Sequence, residues 1–149
     1  MSTEKERQEI ESYFHEKIPL TRAMGVRVEA WDEERLVLTA PLEPNHNHLG
    51  TAFGGSLSAV ATLAGYGMIW LTLGDKNGHV VIRDSAMRYR RPVRGEIRAV
   101  CRAPVADVMD PFKAEFANKG KAHLKLAVTI ENGEAIDAAT FEGTFVAMR

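Results

Sequence analysis

The chain has 149 residues, 45% of them hydrophobic and 26% charged, and its formal net charge is −1. That length suits one domain burying about 70% of its unfolded surface, and the balanced charge gives no support to nucleic acid or an anionic membrane surface as partner. The lone Cys101 excludes an internal disulfide, and Met1 to Arg7 mixes both signs of charge with no apolar run behind it. A cytoplasmic protein without a secretory leader is therefore expected.

In chain order, residues 4–17 predict an amphipathic helix with Ile10, Tyr13, Phe14 and Ile18 at helical spacing, Ser2 or Thr3 as N-cap, and Pro19 as its stop. Val26 to Ala30 and Arg35 to Ala40 predict strands about an Asp32-Glu33-Glu34 turn, after which Pro41 and Pro44 open a loop. From Leu49 to Gly74 no residue is charged, and Gly54-Gly55-Ser56 leads into an apolar helix ending at Leu73. Such a run approaches the length of a membrane span, but Ser56, Ser58, Thr62, Gly65, Gly67 and Thr72 dilute it and no basic cluster flanks it, so a buried helix of a soluble sheet protein is expected.

His79 to Tyr89 and Glu96 to Arg102 predict two further strands joined at Pro92-Val93-Arg94-Gly95. Asp110-Pro111 predicts the N-cap and first residue of one short helix carrying Phe112 and Phe116 on one face. Beyond Gly120, Leu124, Leu126, Val128 and Ile130 alternate with His123, Lys125 and Thr129. Glu131-Asn132-Gly133-Glu134 predicts a two-residue hairpin, with Ala135 to Met148 as the last strand. A helix too apolar to face water must be wrapped by the sheet. The expected class is α+β, an antiparallel sheet curled around a central helix, in one domain over 1–149.

The glycine pair draws the chemistry. Backbone N–H groups and the positive dipole end of the helix would point into a protected cavity there, and glycine lets a ligand approach the backbone closely. Asn45-His46-Asn47-His48 sets four polar side chains just upstream. Gly54 and Gly55 are thus candidate donors to an acyl carbonyl, with Phe53 and Ser56 beside them as substrate contacts; the plainer alternative is a glycine pair needed only for a tight helix start. His46 and His48 are candidate bases near neutral pH or simply solvated loop residues, and as a metal pair they lack further ligands. Asp84 is another candidate base unless it pairs with Arg83 or Arg88. Cys101, mid-strand, reads as a small hydrophobe.

Seven of the twelve arginines fall between Arg83 and Arg102. Guanidinium groups bind phosphate bidentately, so Arg88, Arg90, Arg91 and Arg94 are candidates to hold the phosphates of CoA or the phosphopantetheine of a carrier protein. A solvated outer sheet face is the alternative. With Tyr89 the strip's only aromatic, single-stranded nucleic acid is disfavoured.

Asn47-His48-Leu49-Gly50-Thr51-Ala52-Phe53-Gly54-Gly55-Ser56-Leu57 at the helix start, together with Met87-Arg88-Tyr89-Arg90-Arg91-Pro92-Val93 at a strand end, resembles the hotdog-fold acyl thioesterases. The chain is similar to them over nearly its whole length, and to the thioesterase family also found as the C-terminal domain of the bacterial YiiD acetyltransferase in particular. In the phenylacetyl-CoA thioesterase branch the loop asparagine matches Asn47 and the glycine after a frequent histidine matches Gly54. Phe53 stands in place of that branch's histidine and Thr62 in place of its helix carboxylate. The resemblance implies hydrolysis of acyl-CoA or acyl-carrier-protein thioesters with no cofactor beyond the CoA of the substrate, and a homodimer or dimer of dimers sharing its sites. Asn47 would orient water or hold the carbonyl oxygen, and Thr62 would relay a water unless its hydroxyl bonds its own i−4 carbonyl. A non-catalytic acyl-thioester binding module is the alternative function.

Overall fold

The computed structural model describes residues 1–133 and 137–149. Helix α1 (Glu4–Lys17) is capped as predicted: Thr3 Oγ1 accepts from the Glu6 N–H at 3.1 Å, and Ile10 and Phe14 are buried. Pro19 both ends that helix and opens a short second one, α2 (Pro19–Ala23), at a position where its missing N–H removes no helical bond. Strands β1 (Arg27–Trp31) and β2 (Arg35–Ala40) pair antiparallel across a turn in which Asp32 Oδ1 accepts from Glu34 N at 2.8 Å and Arg35 N at 3.0 Å. A single turn, α3 (Leu42–Asn45), contains a cis Glu43–Pro44 bond.

The central helix α4 (Gly54–Leu73) is closed by Gly74 in the left-handed conformation. It is followed by β3 (His79–Tyr89), β4 (Ile97–Arg102), α5 (Ala106–Lys119), β5 (Lys121–Glu131) and β6 (Asp137–Met148). The six strands form one antiparallel sheet in the order β1-β2-β4-β5-β6-β3. Helix α4 packs on β2, β3, β4, β5 and β6, so the sheet wraps the helix as the apolar run requires; this is the hotdog fold. By length and composition α4 could cross a membrane, but here it is the core helix.

Two helix glycines that dilute its hydrophobicity prove to be packing devices. A Cβ on Gly65 would stand 2.5 Å from Phe145 Cζ, and one on Gly67 would stand 2.8 Å from both Leu36 Cδ2 and Phe14 Cζ. Aromatic rings from β6 and α1 therefore close directly on the helix backbone, which a methyl group would forbid.

The start of the short inserted helix differs from the prediction. Helix α5 begins four residues before Asp110, and Pro111 lies inside it, where it removes the bond an N–H would make to the Asp107 carbonyl. Burial of Met109, Phe112 and Phe116 along one face, against β5, outweighs that lost bond. At the hairpin, Glu131 of β5 pairs with Asp137 of β6. Glu134 of the predicted turn, and Ala135 and Ile136 of the predicted last strand, lie outside the described residues.

Candidate active site at the start of the central helix

The loop ahead of α4 is built around two asparagines. Asn45, buried, donates from Nδ2 to the carbonyls of Met24 and Pro41 at 2.8 Å each, and its own carbonyl accepts from Phe53 N at 2.8 Å. Asn47 fastens the turn beyond it: Oδ1 accepts from Leu49 N at 2.9 Å and Thr51 N at 3.1 Å, while Nδ2 donates to Thr51 Oγ1 at 2.9 Å. Both acceptor sites of the Asn47 amide are thereby filled, which leaves one side-chain N–H to donate to a water or to a carbonyl oxygen. His46 and Ala52 form an isolated bridge, and Ala52 N donates to Val93 O at 2.8 Å, tying the loop to the segment after β3.

At the helix start Phe53 occupies the N-cap and supplies no side-chain cap. Ser56 N and Leu57 N both bond the Phe53 carbonyl, at 2.9 and 3.1 Å. The N–H groups of Gly54 and Gly55 have no partner among the described residues. Two aromatic rings frame them. The Phe53 ring, in a residue 56% exposed, lies over Gly55, where a Cβ would stand 2.4 Å from it. From β3 the Tyr89 ring covers Gly54, and its hydroxyl donates to the Gly54 carbonyl at 3.3 Å. Free amide donors at the positive end of a 20-residue helix, beside exposed aromatic surface, suit an anionic or strongly polarised oxygen on an otherwise apolar ligand. Tyr89 gave no local signal for this role, because the contact joins residues 35 positions apart.

Other candidates are dispersed. Thr62 Oγ1 donates to Ser58 O at 2.8 Å, the i−4 bond, and the residue stands eight positions beyond Gly54, about 12 Å along the axis. Within one protomer Thr62 and the glycine amides do not meet on one carbonyl. His46 is exposed with its Nδ1 3.0 Å from the Asn47 carbonyl, whereas the exposed His48 ring makes no hydrogen bond among the described residues. Asp84 is exposed and bonded by Arg83 Nε at 3.1 Å beside a bulge in β3. Burial pushes the Cys101 thiol up to about 12, so it stays protonated as a small hydrophobe.

The arginine strip divides. Arg98 pairs with Glu29 at 2.7 Å and with Glu131 on the β4–β5 part of the sheet, and Arg102 sits on β4 as well. Strand alternation sets Arg88 on the face opposite Tyr89. Arg91 and Arg94 follow β3 on either side of Val93, which bonds the loop of the helix mouth. Arg88, Arg90, Arg91 and Arg94 are all exposed and make no ion pair among the described residues.

Comparison with known proteins agrees with this geometry. Residues 7–149 match the family described as "Putative thioesterase (yiiD_Cterm)". A structure from Chlorobaculum tepidum TLS, of unknown function, is 35% identical with a TM-score of 0.89, covering 96% of this chain and 94% of that one. A "putative thioesterase" from Shewanella oneidensis is 28% identical with a TM-score of 0.86 over 99% of this chain and 100% of that one. A "probable thioesterase" from Pseudomonas aeruginosa is 25% identical with a TM-score of 0.82 over 95% and 94%. The hotdog architecture and the match over nearly the full chain make this a thioester hydrolase, and the chain belongs to the thioesterase family typified by the YiiD C-terminal domain.

Proposed function

We propose that the protein hydrolyses acyl thioesters of CoA or of a carrier protein's phosphopantetheine arm, as a cytoplasmic homodimer. The observation that carries this reading is the pair of unpartnered N–H groups on Gly54 and Gly55 at the start of α4. They would hold the thioester carbonyl oxygen and bind it more strongly as negative charge develops on it. The remaining Asn47 N–H is a third donor. Water attacks the carbonyl carbon and gives a proton to a base, the C–S bond breaks, and the products are a carboxylate and a thiol. His48, whose exposed ring makes no hydrogen bond among the described residues, is the base proposed, with His46 the alternative because its Nδ1 contact to the Asn47 carbonyl leaves Nε2 available. Release of free thiol from a panel of acyl-CoAs tests the activity. Turnover is expected, and saturable binding without release would make the protein a binding module instead.

The dimer rests on β3. This 11-residue strand is the sheet edge beyond β6, and its Val81 and Ile82 are 50% and 37% exposed. A long edge with apolar side chains invites pairing with a second copy. Light scattering at micromolar concentration is expected to give twice the chain mass; a monomer that still hydrolyses thioesters would remove the shared site.

Arg91 and Arg94 are proposed to hold the phosphates of the CoA or pantetheine arm. Replacing both with alanine is expected to raise KM for acyl-CoA by roughly tenfold at low salt with little change in kcat, because that contact is common to ground and transition states. The difference should shrink at high ionic strength. An unchanged KM at low salt would return both residues to solvated surface.

A further inference from the structure

Each free N–H at the helix mouth is one half of a peptide unit whose other half is a carbonyl with partners of its own. The Gly54 N–H shares its unit with the Phe53 carbonyl, which accepts from Ser56 N at 2.9 Å and Leu57 N at 3.1 Å. The Gly55 N–H shares its unit with the Gly54 carbonyl. That oxygen takes the regular helical bond of the first turn of α4, and its second lone pair takes the Tyr89 hydroxyl at 3.3 Å. A donor on the carbonyl polarises the amide and strengthens its N–H as a donor in turn. Tyr89 therefore acts on the Gly55 N–H from the far end of the peptide unit.

The Tyr89 side chain is exposed, yet its backbone is held firmly. It is the last residue of β3 and pairs with Ala139 of β6, after which Arg90 N and Arg91 N both donate to the Ala138 carbonyl, at 2.8 and 3.0 Å. Further along, the carbonyl of buried Val93 accepts from Ala52 N at 2.8 Å, just ahead of Gly54. The segment 89–93 thus clamps the mouth of α4 at two points. Between them the phenol lies along Gly54, where a Cβ would stand 3.4 Å from Tyr89 Cε1 and 3.7 Å from its Oη. Packing there needs the ring alone; the hydroxyl adds the bond to the peptide.

We infer that Tyr89 is a positioning residue for thioester hydrolysis: its hydroxyl fixes the plane of the Gly54–Gly55 peptide and strengthens the Gly55 N–H as a donor to the thioester carbonyl oxygen. The inference rests on the proposed placement of that oxygen at Gly54 and Gly55. Its size follows from two magnitudes. One oxyanion donor is worth roughly 100- to 1000-fold in kcat, and a cooperative partner strengthens a hydrogen bond by about 10–30%, so the hydroxyl contributes about 2- to 8-fold. The contribution grows as charge develops on the oxygen, so it belongs to kcat and not to KM.

The test is Tyr89→Phe, which keeps the ring and removes one exposed oxygen. Thermal melts are expected to match wild type, with kcat on the best acyl-CoA lower by about 2- to 8-fold and KM within about twofold. Two NMR readouts separate polarisation from packing. The Gly55 amide resonance should move on substitution, while that of Gly54, whose peptide carbonyl is Phe53's, stays in place. A ketone analogue of acyl-CoA, with a methylene in place of the thioester sulfur and an isotopic label at the carbonyl, binds without being hydrolysed. Its carbonyl resonance should move downfield on binding wild type and less far on binding Tyr89→Phe. Equal carbonyl shifts in the two proteins, or equal movement of the Gly54 and Gly55 amides, overturns the inference. Thiol release with the same kcat in wild type and Tyr89→Phe would strike the role of Tyr89 and leave the hydrolysis reading standing. A carbonyl shift that depends on the hydroxyl, without release of thiol from any acyl-CoA, would do the reverse.

Discussion

Gly54→Pro is expected to lower kcat on the best acyl-CoA by roughly 100- to 1000-fold while the protein stays folded, the size of loss that accompanies removal of one oxyanion donor. Proline deletes the Gly54 N–H and no other donor. Gly54 is the first residue of α4, where proline is favoured because the missing hydrogen has no helical partner. Phe53 before it already has φ −65° and ψ 133°, the extended conformation that a residue preceding proline adopts. The added Cβ meets the Tyr89 ring at 3.4 Å, an ordinary contact with one exposed side chain, while the ring Cδ takes the place of the deleted N–H hydrogen. Gly54→Ala is the control: it adds a Cβ at the same place and keeps the N–H, and its kcat should stay within a few-fold of wild type. Steady-state kinetics alongside thermal melts separate the outcomes. A folded Gly54→Pro protein with wild-type kcat would take this amide out of the chemistry and remove the observation on which the proposed mechanism rests.

The contrast between what the sequence discloses and what it hides follows the range of the interactions. The 3.6-residue spacing of Ile10 and Phe14, the uncharged run to Leu73 and the alternation from Leu124 to Ile130 are local consequences of which face is buried, and all three survive in the structure. The start of α5 was hidden because Val105 supplies no capping side chain, while Asp110-Pro111 imitates a cap inside the helix. At the site, the glycine pair was legible as a local motif. Two further features depend on contacts between distant residues: the Tyr89 ring over Gly54 and the division of the arginines by strand order. A sequence pattern shows which side chains share a face but not which hydrogen-bonding groups remain unspent. The i−4 bond of Thr62 and the filled acceptors of Asn47 change the roles those residues can play, and both are facts about partners.

That distinction makes Asn47→Asp more informative than Asn47→Ala. Alanine removes the bonds to Leu49 N, Thr51 N and Thr51 Oγ1 together, so the turn over residues 47–51 loses its fastening and a fall in kcat would report a misplaced loop as readily as a missing donor. Aspartate keeps two oxygen acceptors for the Leu49 and Thr51 N–H groups and removes only the amide donors. Its charge also lies near the positive end of α4, which favours the fold slightly and disfavours an oxyanion. If the remaining Asn47 N–H bonds the substrate oxygen, Asn47→Asp should lower kcat by roughly 100-fold with KM changed much less, since the lost contact strengthens only as charge develops. The melting temperature should equal or slightly exceed that of wild type. Wild-type kcat in a folded Asn47→Asp protein would confine Asn47 to holding the loop, and the carbonyl would then be polarised by the Gly54 and Gly55 amides alone.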